Sequence, residues 1–120
     1  MKKSIKIGKV VGPYSPGIIA SGKKIIFVSG QIAMDLDADT TQQTREVLEK
    51  IKNVLAEANA SMDNIVKATV LLADINDFEK MNEVYKTFFE NNPPARAAFQ
   101  VAALPLNAKI EIEAIAVLDD

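Results

Sequence analysis

The chain contains no cysteine, which excludes disulfides, thiolate nucleophiles and cysteine-based zinc sites. It contains no histidine, which removes the usual proton shuttle of neutral pH and the usual Ser-His-Asp triad. No apolar run approaches the roughly 20 residues that span a bilayer. The opening Met1-Lys2-Lys3-Ser4-Ile5-Lys6 lacks the apolar centre of a signal peptide, so a cytoplasmic location is expected. A formal net charge of -2 argues against a broad basic surface for nucleic acid, and the lysines at 2, 3, 6, 9, 23 and 24 read as a solvated face. What remains for catalysis is Asp or Glu, Arg, Lys, Tyr, Ser, backbone groups and water. That set suits chemistry on an already reactive substrate better than chemistry that needs a strongly activated nucleophile.

Hydrophobic content of 48% and charged content of 25% are those of a globular protein, and 120 residues are enough for one domain with one core. Alternation marks a first strand over Ser4–Ile7, followed by a Gly- and Pro-rich loop, Val11–Gly17. Ile18–Ala20 and Ile25–Val28 read as strands around a tight turn, and Ser29-Gly30-Gln31 closes the second of them. Thr40 with Gln43 has the form of a capping box, and Val47, Leu48, Ile51, Val54, Leu55 and Ala58 recur at helical spacing to about residue 59. Ile65–Leu72 is a β-branched strand. Ile75-Asn76-Asp77 opens a second helix with an apolar face of Phe78, Met81, Val84, Tyr85, Phe88 and Phe89, and Pro93-Pro94 stops it. Two further apolar runs close the chain as strands. The order β-β-β-α-β-α-β-β predicts an α+β two-layer sandwich with both helices on one face of a sheet. In the last strand, Ile110, Ile112, Ala114 and Ala116 alternate with Glu111, Glu113, Ile115 and Val117, so both faces are largely apolar. Helices can cover only one of them, and a second copy of the chain is the simplest cover for the other.

Arginine occurs only twice, as Arg45 and Arg96. Arg96 stands in the nearly uncharged stretch Pro93–Leu104, and a guanidinium there demands a partner because it cannot shed its proton. Glu111 and Glu113 stand in the next apolar run. If the last two strands form a hairpin with Arg96 opposite Glu111, the two side chains share a face and can touch. The pattern fits a binding site and fits a structural ion pair equally well.

Pro94-Ala95-Arg96-Ala97-Ala98, Gln100–Pro105 and Ile110–Ala116 closely resemble the C-terminal signature of the Rid family, the reactive-intermediate (enamine/imine) deaminases also called YjgF. Gly12-Pro13-Tyr14-Ser15, Val28–Ile32 and Leu72–Phe78 with Asn82, Tyr85, Phe88 and Phe89 match as well, in the right order along nearly the whole chain. The resemblance implies a chorismate-mutase-like fold, a homotrimer with clefts between subunits, and no metal or organic cofactor. It implies hydrolysis of 2-imino acids, tautomers of 2-aminoacrylate and 2-aminocrotonate, to 2-keto acids and ammonia. By position, Arg96 would clamp the substrate carboxylate and Glu111 would orient water and handle protons. Tyr14, Ser29, Gly30 and Asn82 would line the pocket. Ala98 stands where many members carry cysteine, and the segment between Ile32 and the first helix is shorter than in other members. Two other readings compete. An endoribonuclease or translation inhibitor lacks histidine, base-stacking aromatics and positive charge here. A non-enzymatic binder of small carboxylates would use Arg96 and have no need of Glu111.

Overall fold

Hydrophobic periodicity is realised most directly in the first helix, α1 (Thr40–Glu57), whose Val47, Leu48, Ile51 and Leu55 are buried. Asp39, not Thr40, caps it: the Asp39 Oδ1 accepts from the Gln42 amide at 2.9 Å. The expected capping box therefore does not form. Gln43 is fully buried and instead donates to the carbonyls of Leu36 and Ala38 and accepts from the Lys109 amide, strapping the segment before α1 to the start of the last strand. The second helix, α2 (Phe78–Phe88), follows a 3₁₀ turn at Ile75–Asp77 and buries Met81, Val84 and Tyr85.

The computed structural model covers residues 1–120 and orders the elements as β1 (Lys2–Ile5), β2 (Gly17–Ala20), β3 (Lys24–Gln31), α1, β4 (Ile65–Leu72), α2, β5 (Ala95–Gln100) and β6 (Ile110–Leu118). This is the α+β order the sequence predicts. Strand β1 lies two residues earlier than its alternation suggests, because Lys2–Ile5 pairs antiparallel with β2 in a separate two-stranded sheet. The main sheet has the order β3-β6-β4-β5. Strand β6 runs antiparallel to both β3 and β4, and β5 runs parallel to β4.

This order overturns the hairpin expectation. Strand β4 lies between β5 and β6, so Arg96 pairs with Ala68 and Glu111 pairs with Leu71. The physical reason lies in the strands themselves. Strands β4 and β6 are the most apolar and take the centre, whereas β5, which carries Arg96 and Gln100, is left at an edge. The helical crossover β4-α2-β5 then makes β5 parallel to β4.

Both helices pack on one face of the main sheet, over Ala68, Val70, Leu72, Ile110, Ile112, Ala114 and Ala116. The alternation read from β6 is the one observed: the even-numbered residues from 110 to 116 are buried. The opposite face is largely open in the single chain: Phe27 is 73% exposed and Ile25 59% exposed on it, and only Val117 near its end is buried. No helix is long and apolar enough to cross a membrane.

Candidate active site

Arg96 projects from β5 into the helix layer, since it shares a row with the buried Ala68 and Ala114. Its Nη1 donates to the Asn82 Oδ1 at 2.6 Å and lies 3.9 Å from the Met81 Sδ. Three aromatic rings surround the guanidinium, with centroids 4.8 Å (Tyr85), 5.5 Å (Phe78) and 5.7 Å (Tyr14) from Cζ. Arg96 takes part in none of the chain's ion pairs. Burial pulls its pKa below the ordinary value, opposed by the neighbouring Tyr85 and Tyr14. It remains a cation at any working pH. Burial also pushes the Tyr85 phenol well above its ordinary range, with Arg96 opposing, so Tyr85 stays neutral.

Tyr14 reaches this site because its loop is tied to the segment just before Arg96. The Ser15 amide donates to the Pro94 carbonyl at 3.1 Å, and the Ser15 hydroxyl donates to the Pro93 carbonyl at 2.5 Å. Ser15 is buried and also meets the Ser4 hydroxyl at 2.9 Å. Its residue type alone gives no sign of this role, although it sits in the Gly12–Ser15 motif. A hollow of about 260 Å³ adjoins the site, lined in part by Lys6, Gly12, Tyr14, Asn92 and Pro93. Ala98 lies on the same face as Arg96, opposite Val70, and packs against the core.

The other expected residues gather elsewhere. Ser29 and Gly30 form a bulge in β3, where the pairing passes from Val28↔Ala114 to Gln31↔Ile112, so two residues oppose Glu113 alone. The backbone of Gly30 lies against Glu111, and a Cβ added there would overlap the Glu111 carboxylate. Only glycine permits this approach. Glu111 likewise takes part in none of the chain's ion pairs. Glu113 is exposed opposite Thr69 and, with Lys67, lines a shallow hollow on the open face. No cluster of three or more acidic side chains could hold a metal ion.

The candidate residues thus form two half-sites. Tyr14, Asn82 and Arg96 lie at the β5 edge, and Ser29, Gly30 and Glu111 lie toward the β3 edge. Three inter-strand steps of about 4.8 Å put these edges roughly 14 Å apart. Arg96 faces the helices, whereas Glu111, one alternation out of step, faces the open side. The two side chains therefore leave opposite faces of the sheet, from strands separated by β4.

The model of the endoribonuclease L-PSP family matches residues 5–118. The chain belongs to this family, which is the YjgF/Rid family. Among L-PSP relatives, the rat 2-iminobutanoate/2-iminopropanoate deaminase is 46% identical over 93% of this chain and 85% of its own length. A RutC family protein of Pyrococcus abyssi is 47% identical over 92% of this chain and 91% of its own. Among solved L-PSP structures, Escherichia coli TdcF with bound serine matches at a TM-score of 0.74 and 39% identity, covering 96% of this chain and 98% of that one.

Proposed function

We propose that this L-PSP protein hydrolyses reactive 2-imino acids to 2-keto acids and ammonia, in clefts between the subunits of a homotrimer. One observation carries the reading: Arg96 is a half-buried cation with no acid of its own, held by Asn82 and aromatic faces at a sheet edge. The relatives named as deaminases support the reaction class. TdcF with bound serine supports a carboxylate-bearing ligand.

The chemistry follows from the two half-sites. The planar fork of Arg96 takes the substrate carboxylate through two parallel hydrogen bonds. Glu111 of a second copy, brought to the same cleft, orients a water over C2 of the protonated imine. The water oxygen bonds to C2, the C=N π pair moves to nitrogen, and Glu111 takes the water proton. Glu111 then returns that proton to the amino nitrogen. The C–N bond breaks, the C2 hydroxyl becomes the ketone, and ammonia carries away the remaining proton as ammonium. Ser29 and the unshielded amide of Gly30 supply donors beside the acid, and Tyr14 supplies a phenol beside the carboxylate. Positioning does much of the work, and proton transfer of this type typically contributes 10²–10⁴-fold.

The test is release of ammonia or pyruvate from 2-aminoacrylate generated in situ. Wild type accelerates release and Arg96→Ala does not. Carboxylate binding by a folded wild type without acceleration would turn the reading into that of a carboxylate binder. Salt-sensitive RNA cleavage that disappears on lysine substitution would turn it into that of a ribonuclease.

A further inference from the structure

We propose that Tyr85 and Phe78 are positioning residues whose ring faces hold the Arg96 guanidinium in one plane and stand in for the acid it lacks, leaving its free N–H edge for an incoming carboxylate. The inference rests on the reading of Arg96 as the carboxylate clamp.

Phe78, Asn82 and Tyr85 fall at i, i+4 and i+7 on α2, one stripe of the helix, and all three meet Arg96. The stripe supplies a single hydrogen bond, from Arg96 to the Asn82 Oδ1, and a guanidinium has five N–H donors. A carboxylate in place of the rings would hold the cation more strongly. It would also occupy the same N–H edges that the substrate needs, and each binding event would have to break that pair. An aromatic face attracts the cation from above its plane and occupies no N–H group. The arrangement therefore stabilises the charge and leaves it available.

Tyr85 suits this task because it is closely packed. It is fully buried, and its ring stacks on Phe89 with centroids 4.4 Å apart. No group of the chain hydrogen-bonds its buried hydroxyl, and the ring is the part that meets Arg96. Phe78 is only partly buried and flanks the same guanidinium at the first turn of α2.

The test compares Phe78→Leu, Tyr85→Leu and Tyr85→Phe with wild type by steady-state imine hydrolysis and by calorimetry with pyruvate. Loss of one ring face is expected to raise KM about ten-fold, with a smaller change in kcat, and to weaken pyruvate binding by the same factor. Tyr85→Phe is expected to recover most of what Tyr85→Leu loses. Phe78→Leu decides alone if Tyr85→Leu does not fold. Wild-type KM and pyruvate affinity in the leucine variants, beside an inactive Arg96→Ala, would overturn the inference and leave the clamp intact. A fall in kcat alone would also overturn it, as a structural effect. An Arg96→Ala variant that binds pyruvate and turns over like wild type would instead remove the clamp reading itself.

Discussion

Mixing two inactive variants tests the division of the site between copies. Arg96→Ala removes one half-site and Glu111→Ala the other, and each alone is expected to lose at least about 10²-fold in kcat/KM. Arg96 and Glu111 lie on opposite faces of one sheet, with β4 between their strands. On the proposed reading, each working site draws Arg96 from one copy and Glu111 from the next. In trimers assembled at random from equal amounts, a site works when its Arg96 comes from the Glu111→Ala chain and its Glu111 from the Arg96→Ala chain. Each condition holds for half of the copies, so about one quarter of the sites recover. Differently tagged chains co-expressed and purified through both tags enrich the mixed trimers, and ammonia release reads the activity. Recovery near one quarter in the unselected mixture, and near one third in the mixed trimers, fits a site shared by neighbours. Activity at the level of the single variants, in mixed trimers verified by native mass spectrometry, would place both residues of each site in one chain and refute the reasoning.

Three further outcomes are expected. Gly30→Ala forces the Glu111 carboxylate out of place, and a shift of that size costs about a hundred-fold in kcat, with the fold retained by circular dichroism. Phe27→Asp puts a charge on the open apolar face, so light scattering should show monomers at micromolar concentration and imine hydrolysis should fall to background. Asn82→Asp gives Arg96 the acid it lacks, and the new ion pair competes with the substrate carboxylate. KM for the imine and Kd for pyruvate are both expected to rise about ten-fold or more, whereas a neutral change such as Asn82→Ala shifts them less.

The elements that sequence made legible are those with a strong local period. Helix α1, strand β4 and the buried row of β6 each carry their burial pattern in a few consecutive residues. The hairpin expectation failed because it joined two neighbours in sequence by charge, while burial of the most apolar strands governs which strands lie at the centre. Asn82 and Tyr85 carried no local mark of contact with Arg96. Their meeting depends on the crossover that lays α2 over β5, and the contact partners are 14 and 11 residues apart with a turn between them. The spacing of Tyr85 predicts a core residue, and it is core. Its other face became visible only with the guanidinium in place. Ser15 was hidden because its partners, the Pro93 and Pro94 carbonyls, are backbone groups that leave no signature in residue type.

The separation of the two half-sites has a chemical consequence. A cation and a carboxylate facing each other in one chain would pair, each quenching the other before substrate arrived. Here the sheet itself keeps them apart: the alternation of β5 and β6 sends Arg96 to the helices and Glu111 to the open face. Each is without an ion-pair partner in its own chain. Arg96 is stabilised by rings and an amide, and Glu111 lies against the Gly30 backbone. Assembly through the apolar open face would then bring charges of opposite sign to one cleft, with a small zwitterionic substrate between them. On the proposed reading, its carboxylate answers Arg96 and its iminium answers Glu111. A ligand with both charges should therefore bind more tightly than either a simple carboxylate or a simple amine. That preference should disappear in a monomeric Phe27→Asp variant, which keeps the Arg96 half-site and should still take pyruvate.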